Sequence, residues 1–430
     1  MFKKIVGTIF TRFLAAILML TIVVLNARYL GAEKVGVISL IILAVTIVQM
    51  VNNFIGGAAL VYLVPRTPLL KLFIPSYIWG VIASIICAVV LYLTSSIPQG
   101  YFVHVMILST LHSLFTVNTM ILLGQERIKS INVLTVAQIT SLVAVLLAFF
   151  IFTSNREVMV YIYAMYVSYV IMFVGSFALI TNRLKRGDLS GMKQVIREIL
   201  AFGSWAQTAN IFQLFNYRLS YYFIEHIISK AALGVYSTGV QLSEGVWIIP
   251  RSISMVQLSR ISNEKRWDYA VKVTLIFSKV GLLVSMILVG LILLLPTGFF
   301  VFVFGPEFSG VKPVIISLAV GIVTLSFSIL LSAFFSGMGK PMHSAIASGI
   351  GLVFTIILTL WLIPIYGIIG AGIAASCSYL SATIYQLITF VILARVKAKD
   401  FLIKKDEIRI LVKEIKVMLK QTKLDPFFLK

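Results

Sequence analysis

The strongest constraint on this chain is a rhythm of apolar runs. Each is about 20 residues long, and short polar stretches separate them. They fall near 5–27, 35–63, 69–95, 101–124, 130–153, 158–181, 199–228, 232–259, 270–295, 311–337, 342–364 and 368–394. A helix of about 20 residues crosses the hydrocarbon of a bilayer, and in lipid the backbone must satisfy its own hydrogen bonds. The expected fold is an all-α polytopic membrane protein with twelve transmembrane helices. Composition agrees: 60% of the 430 residues are hydrophobic and the mean hydropathy is +1.03. A soluble core could not hide that much apolar surface. The opening "MFKK" and the run after it look like a signal sequence. The run is too long and lacks a small-x-small cleavage site, so it reads as a retained first helix.

The net charge is +21. No soluble module holds this excess, so nucleic acid is not expected as a partner. Lys3, Lys4, Arg66, Lys71, Arg127, Lys129, the cluster from Arg183 to Arg197, the cluster from Arg260 to Lys272, Lys340 and the tail all fall on one side of the alternating runs. The other side has Arg28, Lys34, Arg156, Lys230 and little else. Positive loops stay inside, so both termini are expected to be cytoplasmic.

The basic stretch 182–198 divides the chain into an N-terminal six-helix lobe (1–181) and a C-terminal six-helix lobe (199–395). An even number of helices per lobe makes any repeat parallel, about an axis along the membrane normal. "KVGVIS" (34–39) and "ALGVYS" (232–237) hint at that pseudo-repeat, each read as a short outer turn feeding the next helix. Aligning Gly36 with Gly234 sets Arg12 against Asn210 and Asn53 against Arg251. Residues 396–430 read as a basic amphipathic cytoplasmic tail, either lying on the inner leaflet or simply solvated. The stretch 296–310 is apolar but rich in Pro and Gly and too short to span, so it reads as an interfacial loop.

No catalytic constellation is visible, and the chain is not expected to be an enzyme. The four histidines are scattered without ligand spacing, Cys87 and Cys377 each sit in an apolar run, and there is no Walker loop. Neither a metal nor another cofactor is expected; proton or sodium coupling stays open. Charges inside the spans carry the functional signal, because each costs at least about 2.5–3.5 kcal/mol at membrane depth. On the seventh run Arg218, Tyr222 and Glu225 share a helical face, beside a polar stripe of Asn210, Gln213 and Tyr217. On the eighth, Gln241, Glu244, Ile248 and Arg251 share another, and Pro250 would break the helix there. Glu244 is an ion-coupling candidate, or else a structural partner for Arg218 or Arg251. Arg12, Arg218 and Arg251 are the candidates for a cationic central cavity, with snorkelling to the headgroups as the alternative for Arg12 and Arg251. Gln49, Asn52 and Asn53 form a polar patch on the second run. Converging guanidinium groups suit a phosphate or pyrophosphate, and Tyr, Asn and Gln suit a sugar. The substrate-binding candidates are thus Arg12, Asn53, Arg218, Tyr222, Gln241 and Arg251.

Three stretches carry a family likeness. "ARYLGAEKVGVISLIILAVTIVQMVNNFIGGAALVYLVPR" (27–66) is similar to an "RxLG…yG" entry to the second helix. "ALGVYSTGVQLSEGVWIIPRSISMVQLSRIS" (232–262) is similar to a "vGiYs…a…l…ip…l…pris" segment. "FGPEFSGVKPVIISLAVGIV" (304–323), "SAFFSGMGKP" (332–341) and "LIPIYGIIGAGIAASCSYL" (362–380) complete the set, the last through "IPxyGxxGAaxA". Together they resemble the polysaccharide-unit flippases of the multidrug/oligosaccharidyl-lipid/polysaccharide exporter superfamily. The resemblance implies two six-helix lobes around a central cavity, working by alternating access. It implies an undecaprenyl-pyrophosphate-linked oligosaccharide moved from the cytoplasmic to the periplasmic leaflet of a bacterial inner membrane. Membrane lipids are implied partners, and a polysaccharide polymerase assembly is left open. The drug-antiporter branch typically has an acidic residue in its first helix, and the first run here has none. An ion-coupled exporter of small cationic or amphipathic compounds is the alternative.

Overall fold

A computed structural model describes residues 2–181, 191–264, 266–397 and 400, leaving out the side chains of 2–10, 12–13, 58, 201–206, 208–209, 259 and 263–264. The Arg12 side chain, linker residues 182–190 and tail residues 401–430 therefore lie outside the described residues. Every regular element among the described residues is helical. In order they are α1 (Phe2–Gly56), α2 (Ala58–Leu63), α3 (Leu69–Leu93), α4 (Phe102–Gly124), α5 (Ile128–Phe152), α6 (Val158–Thr181), α7 (Met192–Ile227), α8 (Lys230–Glu244), α9 (Ile248–Glu264), α10 (Trp267–Leu294), α11 (Thr297–Phe304), α12 (Val311–Gly337) and α13 (Met342–Ala394). Short 3-10 turns at Gly245–Trp247 and Pro306–Gly310 link α8 to α9 and α11 to α12.

Eight helical segments among the described residues are long and apolar enough to cross a membrane. Two of them, α1 and α13, have 55 and 53 residues, twice the usual membrane length. Each is broken at a glycine, Gly31 (φ 82°) or Gly367 (φ 58°). Only glycine takes these angles without strain, so one residue does the work of a loop. At the first break the Ala32 backbone N–H donates to Glu307 Oε2 at 2.6 Å. The carboxylate thus caps the second half of α1 from a distant part of the chain. Glu307→Ala is expected to cost about 1–2 kcal/mol of unfolding free energy. A thermal melt of the detergent-solubilised protein checks this, and an unchanged Tm would deny the cap.

Three local expectations need correction. The linker does not run to residue 198: helix α7 starts at Met192, straight after Gly191 in a left-handed conformation. The stretch from Thr297 is helix rather than irregular loop, because Phe300, Phe304 and Phe308 bury one face with Ala32 and Val35 of α1. Gly36 and Gly234 are not in turns. Both lie one turn inside helices, where the absence of a side chain lets α1 and α8 touch through their backbones. A Cβ on Gly36 would stand 1.9 Å from the Lys230 carbonyl oxygen, and one on Gly234 would stand 1.8 Å from that of Ala32. Three residues on, Ser39 Oγ donates to Ser237 Oγ at 2.8 Å. Each pair has the same separation of 198 residues (36 to 234, 32 to 230, 39 to 237). Equivalent residues touching reciprocally is the signature of a two-fold contact.

Candidate functional site

Between α1, α5 and α6 on one side and α7 and α8 on the other lies a cavity of about 310 Å³. Its floor begins where the Gly36–Gly234 contact ends, since Val35, Ser39 and Thr238 line it. Apolar side chains make most of the wall, and the polar ones come from known helical positions. Asn26 and Thr46 project from the two halves of α1, Gln138 from α5, and Tyr161, Ser168 and Tyr169 from α6. Arg218 and Tyr221 project from α7, Thr238 and Gln241 from α8.

Arg218 is the one charged residue lining this cavity among the described residues. Its two terminal nitrogens donate to the two carboxylate oxygens of Glu244, at 2.7 and 2.8 Å. This planar fork-to-carboxylate pairing is the strong, oriented kind. The side chains are 23% and 20% exposed, so the pair is largely desolvated and each charge depends on the other. Glu244 comes within reach because α8 ends there, in the 3-10 turn Gly245–Trp247. The guanidinium also stands 5.2 Å from the Tyr221 ring. Beside it, Tyr379 packs edge to face on Tyr217 and Trp247, which are tilted against each other, with centroids 5.4–6.0 Å apart. Trp247 is fully buried and its indole N–H donates to the Ile322 carbonyl at 3.1 Å. Gln213 donates to the Tyr217 hydroxyl at 2.8 Å.

Of the three candidate arginines, the described side chains of Arg218 and Arg251 do not converge on the cavity. Arg251 is exposed, stands 5.4 Å over the Trp247 ring, and does not line the cavity. The 3-10 turn at Gly245–Trp247 puts Arg251 of α9 out of phase with Gln241 and Glu244 of α8. Pro250 sits in the first turn of α9, where proline is tolerated, so the break comes ahead of it. Gln241 lines the cavity as expected, whereas Tyr222 packs with the apolar residues around Leu233 and Tyr236, and its neighbour Tyr221 takes the cavity position. Asn53 does not line it either: its Oδ1 accepts from Gln49 Nε2 at 2.7 Å, and Gln49 Oε1 is 2.9 Å from His112 Nδ1. The Asn52 amide donates to Ser84 and Ser113, holding α1, α3 and α4 together. Among the described residues the cavity is therefore not strongly cationic: Arg218 is matched by Glu244. Asn26, Ser168 and the α6 tyrosines were missed. Their only sequence signal is a polar or aromatic residue at intervals in an otherwise apolar run.

No protein-family model matches the chain, and no curated protein does. Solved structures do. An inward-facing multidrug resistance MATE family transporter of the MOP superfamily superposes with a TM-score of 0.70 at 14% identity, over 88% of this chain and 94% of its own. The lipid II flippase MurJ, inward closed, gives 0.69 at 16% identity, over 92% and 88%. An outward-facing MATE family transporter of the same superfamily gives 0.64 at 16% identity, over 92% and 96%. These neighbours are transporters and a flippase, not enzymes. The chain therefore has the all-helical fold that these MATE family transporters and MurJ share, with eight described segments long and apolar enough to cross a membrane.

Proposed function

We propose that this protein is a flippase for a polyprenyl-pyrophosphate-linked oligosaccharide, undecaprenyl being the carrier in a bacterial inner membrane. The observation that supports this reading is Arg218. A guanidinium held in the bidentate geometry of a carboxylate, at the wall of a membrane cavity, offers the same fork to a phosphate. The pyrophosphate competes with Glu244 for Arg218. Once displaced, Glu244 is a partly buried carboxylate without its counter-charge, and taking up a proton or sodium ion relieves it. Binding of the anion and uptake of the cation are thereby linked. At about 310 Å³ the cavity lies near the lower end of small-ligand sites, so it takes the pyrophosphate and the adjoining sugar. The lipid tail and distal sugars stay outside it.

The same proposal includes twelve spans, two six-helix lobes and cytoplasmic termini. Counting α1 and α13 twice, for their glycine breaks, raises the eight apolar segments to ten. The polar α7 and the interrupted α8–α9 pair supply the other two, the helices that carry Arg218 and Glu244. The reciprocal Gly36–Gly234 contact supports a lobe-to-lobe axis along the membrane normal, with residues moving about it in alternating access.

A second reading has one observation in its favour. Glu244 beside the rings of Tyr217, Trp247 and Tyr379 is also a surrounding for an organic cation, which fits an ion-coupled exporter. Complementation separates the two. In a flippase-null bacterium making the matching glycan, the chain is expected to restore surface polysaccharide. Arg218→Ala, expressed to the same level, is expected not to, whereas Arg251→Ala is expected to restore it. Failure of well-expressed wild type, together with efflux of a cationic dye, would move the assignment to the exporter.

A further inference from the structure

The two walls of the cavity differ in chemistry. The wall from α7 and α8 holds Arg218. Among the described residues the wall from α1, α5 and α6 holds no charged residue, yet it holds buried polar atoms without partners. Asn26 is 6% exposed and its Oδ1 has no hydrogen-bond partner; Ser168 is fully buried and its Oγ has none. Leaving such atoms unpaired in an apolar setting is costly, and native proteins seldom do so without a use. The space they face is larger than a bridging water needs: at about 30 Å³ each, it could hold about ten. The rings of Tyr161 and Tyr169 line the same wall from α6, and Tyr169 packs against the half-buried His112 and the buried Phe115.

We infer that this wall is a sugar subsite, which receives the first hexose of the substrate while Arg218 receives its pyrophosphate. The inference rests on the flippase reading and adds a division of labour to it. An acceptor oxygen and a hydroxyl match the alternating donor and acceptor edge of a pyranose. Tyrosine faces cover its C–H surface, as flat apolar rings with a polar tip do. The absence of charge on the wall suits a neutral ring and would repel nothing. An inorganic cation is a poorer fit, because hard cations are normally held with carboxylate help and, among the described residues, none lines this wall. The two walls belong to different sides of the Gly36–Gly234 contact, so a substrate bridging them senses whether the sides are together.

The test uses the full-length protein in lipid nanodiscs and two kinds of probe: farnesyl diphosphate, and farnesyl diphosphate bearing one glucose or one N-acetylglucosamine. Wild type is expected to bind at least one glycosylated probe about tenfold more tightly than the bare diphosphate. Asn26→Leu and Ser168→Ala are each expected to remove about threefold of that excess, the worth of one hydrogen bond, while leaving bare diphosphate affinity unchanged. Ser168→Ala deletes a single oxygen and keeps the packing, so it remains informative if Asn26→Leu does not fold. Equal affinity of wild type for bare and glycosylated probes overturns the subsite and leaves the flippase reading standing. So does an excess that survives in both variants. Binding of no probe by wild type overturns the flippase reading itself, and the subsite with it.

Discussion

Arg218→Ala and Glu244→Ala are each expected to destabilise the protein by about 2–3 kcal/mol. Breaking a fully buried ion pair costs about 3–5 kcal/mol, because the survivor is left charged and dry. Here the two side chains keep 23% and 20% of their exposure, so partial hydration of the survivor trims the cost. The double variant Arg218→Met/Glu244→Met should recover most of the loss, since two apolar side chains of similar length replace two charges that no longer need each other. Stability and transport then part company. If the pair is only a structural tie, the stable double variant transports. If Arg218 is the phosphate fork, the double variant is stable and inactive. Melting curves in detergent supply the first axis, and flipping of a fluorescent lipid-linked glycan in proteoliposomes the second. A double variant as active as wild type would remove Arg218 from the binding site and return Glu244 to the role of its tether.

Much of this architecture was legible because bilayer physics writes it into the sequence in units of one helix length. The apolar runs fall on helices, and the turn near Ser229 lies where the run breaks, with Ser229 Oγ accepting from the Ala232 N–H at 3.1 Å. That Glu244 could pair with an arginine was legible, but the choice of Arg218 over Arg251 was not. Direction was not. Whether Tyr221 or Tyr222 faces the cavity turns on about 100° of helix rotation, which the pattern of a mostly apolar helix leaves open. The face shared by Gln241 and Arg251 failed because periodicity assumes a continuous helix, and the 3-10 turn at Gly245–Trp247 resets the phase. The interface glycines were read as turn formers because Gly serves both purposes. Only the neighbouring backbone, Lys230 against Gly36 and Ala32 against Gly234, shows which one applies. Asn26 and Ser168 showed only as polar residues in apolar runs; their significance is the absence of a partner, a property of three dimensions alone.

Gly36→Val and Gly234→Val are expected to abolish transport while leaving the protein folded and membrane-inserted. The Cβ positions fall within 2 Å of backbone oxygens, and backbone cannot step aside as a flexible side chain can. The only relief is to part α1 and α8. The contact lies beside Val35, Ser39 and Thr238 at one end of the cavity, so parting the helices opens the cavity at that end. A folded variant is thus biased to the state with this end open. A shift from 1:99 to 99:1 between two such states takes about 5.5 kcal/mol, and each overlap is severe enough to supply much of that. The opposite bias comes from Ser39→Cys/Ser237→Cys, whose wild-type oxygens are only 2.8 Å apart. Oxidation should join these cysteines and hold the end shut, stopping transport until a reductant is added. In the Gly36→Val background the same cysteines should fail to join and should instead react quickly with a water-soluble maleimide added from one side of the membrane, the side to which this end of the cavity opens. Crosslinking that is equally fast with and without Gly36→Val, or a crosslinked protein that still transports, would show that α1 and α8 stay together through the cycle. The moving boundary would then have to be sought elsewhere. Because the two glycines occupy equivalent places in a reciprocal contact, either substitution alone should have the full effect, and combining them should add little.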